Sequence, residues 1–265
     1  MAFLLFNFKD GCSMLSGMIS IENLNKSYGN FAAVKNLNLK IGNGEVFGFL
    51  GPNGAGKTTT IRMLMGILVP TSGRAVIEGM DCQKQSAEVK HKIGYLPDNP
   101  IFYDYLKGRE ILEFVGEMQG LTRASARTRT AELLYLFQLQ EAAEEFAINY
   151  STGMRKKLGL AMALVHQPPV LILDEPTNGL DPRAAVEVKD FLTQAAGRGT
   201  TIFLSTHLLD MAQKLCHRVG IIDHGKLVAV GRWEELRETL MPGGSLEDLY
   251  FKVTASASDP GEKTR

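Results

Sequence analysis

Nine residues constrain this chain more than any others: Gly51-Pro52-Asn53-Gly54-Ala55-Gly56-Lys57-Thr58-Thr59. They fit G-x-x-x-x-G-K-[ST], the phosphate-binding P-loop. Each residue type has a physical reason. Glycines let the backbone wrap around phosphate oxygens and aim several N–H groups at them. Lys57 carries a compact positive charge that reaches β- and γ-phosphates, and the Thr58 hydroxyl is a hard oxygen ligand suited to Mg²⁺. The surroundings agree with the motif. Glu45 to Leu50 reads as a short buried strand. Thr58 to Met65 reads as a helix whose N-terminus faces the phosphates.

A P-loop needs an acidic strand to complete it. Val170-Leu171-Ile172-Leu173-Asp174-Glu175 is four aliphatic residues followed by two acids. A buried strand that delivers a carboxylate at its end makes Asp174 the metal partner of Thr58. Glu175, one residue on, is placed to act as general base toward a water. His207, in Ser205-Thr206-His207, ends another strand. A histidine there can hydrogen-bond a γ-phosphate, although taken alone it reads first as a helix-start residue with no role. Tyr28, ahead of the P-loop, reads either as a purine-stacking ring or as a ring packing a turn.

Strand patterns recur at 18–24, 31–39 (broken by turns), 45–50, 74–78, 93–96, 170–173, 201–205, 219–222 and 226–230. Helical patterns fall at about 182–196 and 207–217 between the later strands. From Asp98 to about Leu164 the pattern turns helical, which predicts a separate helical subdomain. The result is an α/β architecture with a parallel sheet and helices on its faces. Residues 1–17 have no periodicity and read as an extension, with ordered structure expected from Met18. Residues 241–265 form a C-terminal segment whose last dozen residues are small and polar, a composition that predicts disorder.

Composition narrows the function classes. Lys+Arg and Asp+Glu both number 29, so the basic excess usual in a nucleic-acid binder is absent. Cys12, Cys82 and Cys216 are scattered, which predicts free thiols in a reducing compartment rather than disulfides or zinc ligands. No run approaches the roughly 18–20 apolar residues of a membrane span.

Tyr150-Ser151-Thr152-Gly153-Met154-Arg155-Lys156-Lys157-Leu158 resembles the signature motif of ABC-type ATPases, whose general form is Leu-Ser-Gly-Gly-Gln. Asn178-Gly179-Leu180-Asp181 resembles the D-loop, His207 the switch histidine and Tyr28 the base-stacking aromatic. The motifs run in the family's order across about residues 18–230, and the cassette is taken as 18–240. The resemblance implies a RecA-like P-loop NTPase core, a small antiparallel β subdomain and an inserted helical subdomain at about 98–164. It implies ATP and Mg²⁺ as ligands, and a head-to-tail homodimer or pseudo-dimer with two ATPs at its interface. Ser151, Thr152, Gly153 and Met154 would then serve the nucleotide of the opposite subunit. At the Q-loop position, where the family has glutamine, this chain has Asp98, which is expected to reach Mg²⁺ or its water shell.

The Tyr-Ser-x-Gly-Met form is similar to that of exporters whose ATPase and membrane parts are separate chains. That implies a membrane-spanning permease as partner, placement at the cytoplasmic face of the cell membrane, and no nucleic acid. Coupling is expected just after Asp98, where Ile101, Phe102, Tyr103 and Tyr105 read evenly as a docking groove or as core. The rival readings are a regulator that moves a membrane protein without transport, and an ABC ATPase of nucleic-acid work. Against the last, about ninety residues separate the P-loop from the signature, with no sustained heptads.

Overall fold

The computed structural model describes residues 18–240, together with residues 248, 250 and 252. The expectations for residues 1–17 and for 241–265 otherwise lie outside the described residues.

The chain opens with an antiparallel hairpin of β1 (Ile19–Tyr28) and β2 (Phe31–Ile41). The expected break inside the second strand is absent. β2 runs through, and the irregularity is taken up by register shifts around Leu24 and Lys26. Asparagines repair the ladder there. The Asn23 and Asn36 amides donate to the side chains of Asn38 and Asn25, at 2.9 and 2.8 Å. Both Asn23 and Asn36 adopt positive φ, a region asparagine tolerates better than most residues.

β3 (Val46–Leu50) feeds the P-loop and α1 (Lys57–Leu64). β4 (Ser72–Ile77) returns to pair with β1, and β5 (Met80–Asp81) pairs with β4. α2 (Ser86–His91) and β6 (Ile93–Leu96) follow. Then come α3 (Gly108–Met118), α4 (Arg123–Leu136), a 3₁₀ turn at Ala147–Asn149 and α5 (Thr152–Leu164). β7 (Val170–Asp174), α6 (Pro182–Gly197), β8 (Thr201–Thr206), α7 (Leu209–Leu215), β9 (Arg218–Asp223), β10 (Lys226–Gly231) and α8 (Trp233–Leu240) complete the described order.

Two sheets result. One is antiparallel, in the order β2-β1-β4-β5; the other runs β10-β9-β3-β8-β7-β6, parallel except at the β10 edge. Side chains on successive residues of a strand point to opposite faces, so a strand buried on both sides serves two cores. Phe47, Phe49, Val170, Ile172 and Phe203 pack with Ile19, Ile21 and Leu37 of the antiparallel sheet. Val46, Leu171, Leu173, Ile202 and Leu204 pack with the helices, against Leu158, Leu160 and Val188. α5 lies directly on β6: a Cβ at Gly94 would run into the Ala163 carbonyl, so only glycine permits the approach.

The helical block begins later than expected. Residues 98–107 contain no helix, and α3 starts at Gly108. Cys82 and Cys216 are free thiols, and burial pushes each up to about 12.

Candidate active site

The P-loop is braced from behind. The Gly225 amide, in the β9–β10 turn, donates to the Ala55 carbonyl at 3.0 Å, and the Lys35 amide of β2 donates to the Gly225 carbonyl at 2.7 Å. Gly56 sits at φ +110, and a Cβ there would press on the Ala33 carbonyl. Glycine alone satisfies both demands. The loop ends as α1 begins, so the first amides of the helix face the cleft with no carbonyl partner of their own.

Lys57 is 6% exposed, and its ammonium donates to the carbonyls of Gly51 and Pro52 at 2.6 and 3.2 Å. Burial pulls its pKa below the usual lysine value, while Glu175 and then Asp174 pull it back. Thr58 Oγ1 donates to Asp174 Oδ2 at 3.2 Å, across 116 residues of sequence. The other Asp174 oxygen accepts a short bond from the Ser205 hydroxyl on the neighbouring strand. A hydroxyl and a carboxylate therefore converge as hard oxygen donors, the set Mg²⁺ prefers. No group of three or more His, Cys, Asp or Glu among the described residues is arranged to hold a metal. Two protein oxygens fit an ion that draws its remaining ligands from phosphates and water.

Glu175 leaves β7 at φ +49, a left-handed conformation that costs a non-glycine residue about 1–3 kcal/mol. β8 holds it there. The Glu175 amide donates to the Ser205 carbonyl at 3.0 Å. Thr206 Oγ1 donates to Glu175 Oε2 at 3.0 Å, and His207 Nδ1 lies 2.8 Å from Oε1. The Glu175 side chain is 9% exposed and that of His207 is 49% exposed, so the histidine forms the solvent side of the pair.

Lys57, Thr58, Asp174 and Glu175 share one cleft of about 300 Å³, while His207 reaches it only through Glu175 and does not line it. Pro52, Asn53, Gly54, Gly56, Lys57, Thr58 and Thr59 line its floor, and Asp98, Asp174 and Glu175 line one end. Gly51 and Ala55 lie buried behind the loop. Tyr28 lines the far end, 49% exposed, with Lys26 Nζ 5.1 Å from its ring centroid. Phe31 stands beside it, 64% exposed and paired with Tyr28 across the hairpin, and was not anticipated. Its signal was in the sequence: two residues of turn, Gly29-Asn30, place residue 31 opposite residue 28.

The signature residues line no part of that cleft. Ser151 is the N-cap of α5 and accepts from the Met154 amide at 3.3 Å. Thr152 lines a second cleft, of about 330 Å³, together with Arg155, Lys156, Asn178 and Gly179. Asp98 borders both clefts. Its carboxylate accepts from Asn178 Nδ2 at 3.1 Å and lies 3.6 Å from Lys156 Nζ. Lys156 is buried, which lowers its pKa; Asp98 foremost, then Asp174 and Glu175, offset the shift. Asp181 is the N-cap of α6, and the Ala184 amide at 2.9 Å holds its carboxyl below the usual carboxylate range. Of the apolar and aromatic residues after Asp98, Ile101, Tyr103 and Tyr105 face solvent, while Phe102 is core, with the Arg155 guanidinium 4.9 Å over its ring.

A family model described as ABC transporter matches residues 34–178. The linearmycin resistance ATP-binding protein LnrL of Bacillus subtilis (strain 168) is 38% identical over 239 residues, covering 90% of this chain and 75% of that protein. The bacitracin transport ATP-binding protein BcrA of Bacillus licheniformis is 40% identical over 225 residues, covering 84% of this chain and 72% of that protein. A solved structure of an ATP-binding subunit of an ABC transporter superposes with a TM-score of 0.84 at 29% identity, over 89% of this chain and 99% of that one.

Proposed function

The chain belongs to the ABC transporter family, as an ATP-binding and ATP-hydrolysing subunit, and on that premise we propose that it energises a membrane exporter as one half of an ATP-sandwich dimer. The observation that carries the reading is the convergence of Lys57, Thr58, Asp174 and Glu175 on one cleft from segments far apart in sequence. The names of the relatives, a linearmycin resistance and a bacitracin transport ATP-binding protein, support export.

In this reading the residues take the following roles. The P-loop amides and Lys57 carry the β- and γ-phosphates. Thr58 and Asp174 hold Mg²⁺, which when bound screens the charge on the transferred phosphoryl oxygens. Tyr28 stacks on the base. Glu175 takes a proton from water as the water oxygen bonds to the γ-phosphorus. The bond from that phosphorus to the bridging oxygen breaks, and ADP leaves with the electron pair. His207, with its proton on Nδ1, orients the Glu175 carboxylate. Ser151 to Met154 face the second subunit's nucleotide, because their own chain's cleft is out of their reach. Asp181, at the start of α6, serves the contact between subunits.

No helix among the described residues is long and apolar enough to cross a membrane. The transmembrane path therefore belongs to a permease partner in this reading, and this subunit sits at the cytoplasmic face against it. Ile101, Tyr103 and Tyr105, exposed beside the Asp98 loop, are the docking residues.

Glu175→Gln tests the reading. Glutamine keeps the shape and the contact to Thr206 but accepts no proton at neutral pH. ATP binding should persist, hydrolysis should stop, and ATP, not ADP, should shift the protein from monomer to dimer in size-exclusion chromatography. Hydrolysis at the wild-type rate in this variant would remove Glu175 as the base.

A further inference from the structure

Lys156 is a buried charge that the hydrolysis steps leave unused. Its side chain is 3% exposed, and its ammonium donates to the Asp98 carbonyl at 2.6 Å and lies 3.6 Å from Asp98 Oδ1. The same carboxylate oxygen accepts from Asn178 Nδ2 at 3.1 Å. Asn178 in turn donates its backbone amide to the carbonyl of Glu175 at 3.1 Å. Three segments meet at this point: the first turns of α5, the loop after β6 and the loop after β7. Beside it all three line the second cleft.

A buried ammonium needs acceptors, and a carbonyl with a carboxylate supply them. Such a pair adds little net stability against an apolar replacement; its use lies in fixing geometry. Here the geometry matters for a specific reason. Glu175 must address water in its own cleft, while Ser151 and Thr152 must address phosphate in another subunit's cleft. Along the chain the two are joined only through the whole of α5 and β7. The Lys156–Asp98–Asn178 contacts join them in a few bonds.

We propose that Lys156, Asp98 and Asn178 form a latch that holds the Glu175 loop in register with the signature helix of the same chain, with Asp98 acting through Lys156 and Asn178 and not as a ligand of the metal. The inference rests on the reading of Glu175 as the base. All three are positioning residues.

The test is steady-state ATPase of the purified full-length chain, with ATP and Mg²⁺ each titrated. The variants are Asp98→Ala, Lys156→Met, Asn178→Ala and the Asp98→Ala/Lys156→Met double. A misplacement of about 1 Å costs up to roughly a hundredfold in rate, so each single should lower kcat by about tenfold or more. The KM for ATP and the Mg²⁺ half-saturation should stay within about twofold of wild type, because nothing that holds either ligand has moved. The double should be no worse than its worse single, because the groups act as one unit. Asp98→Asn keeps an acceptor oxygen and should recover most of the rate.

Three results would overturn the latch. One is a raised Mg²⁺ requirement in Asp98→Ala alone, which makes Asp98 a metal ligand. Another is a double whose loss is the product of the singles. The third is wild-type kcat in the singles. Asn178→Ala strands no buried charge, so it decides the question if Lys156→Met fails to fold. Glu175→Gln assayed in parallel separates the two ideas: hydrolysis surviving that change overturns the base, whereas wild-type kcat in Asn178→Ala overturns the latch alone.

Discussion

Glu175 and Phe31 mark the two ends of the cleft, and each is explained by the strand beside it. Glu175 sits in left-handed backbone because β8 and the residue after it, His207, claim its amide and both carboxylate oxygens. The sequence places an acid after Asp174 but says nothing of that twist, which depends on Thr206 and His207 some thirty residues on. Phe31 gains its place from the hairpin register, which sets its exposed ring beside Tyr28 at the far end of the cleft; if Tyr28 stacks on the base as proposed, Phe31 adds a second apolar face. Phe31→Ala should weaken ATP binding by about 1–3 kcal/mol, the range for one lost base-stacking contact. Inorganic tripolyphosphate, which has no base, should bind the variant as it binds wild type. Equal losses for both ligands in calorimetry would move Phe31 out of the base site.

Helix starts carry the next set of consequences. Ser151 accepts from the Met154 amide through its oxygen and still has its hydroxyl proton to give. A cap and a phosphate contact are thus compatible in one side chain. Ser151→Asp separates them: aspartate caps as well as serine, but it has no proton to donate and repels phosphate. Thermal stability should hold while ATP-dependent dimerisation and hydrolysis fall. Asp181 caps α6 in the same way, with its carboxyl held below the usual range. A depressed carboxyl stabilises the fold above its unfolded value, and the contribution fades as pH falls through the lowered value. Melting curves of wild type and Asp181→Asn should therefore diverge only on acidification, since asparagine caps without titrating. The strands and helices that were legible are those with long apolar runs or clear periods, such as β7, β8 and α6. β5 has two residues and α2 six, too short for any period to register. The segment after Asp98 was misread because its apolar residues alternate: Ile101 and Tyr103 out, Phe102 in. That is the period of extended chain, which a helical reading cannot accommodate.

Across the whole molecule, Lys57 and Thr58 come from α1, Asp174 and Glu175 from the end of β7, and Tyr28 and Phe31 at the far end of the cleft from the other sheet. Fold class was legible because the P-loop and the acidic strand each demand a parallel sheet around them. Strand order was not, because pairing partners lie far apart in sequence. β3 pairs with β8 on one side and β9 on the other. Those are among the last strands of the described chain to be synthesised. On the ribosome, the strand that carries the P-loop therefore waits without a neighbour until residues 201–223 emerge. A chain ending at residue 200 contains every motif from Tyr28 to Asp181, yet it lacks Ser205, Thr206 and His207 and both partners of β3. It should neither bind ATP nor melt cooperatively, and a fluorescent ATP analogue titrated against such a chain would check this. The nucleotide pocket thus comes into being late and all at once in the life of the polypeptide, leaving the nascent chain blind to ATP while most of its recognisable residues are already made.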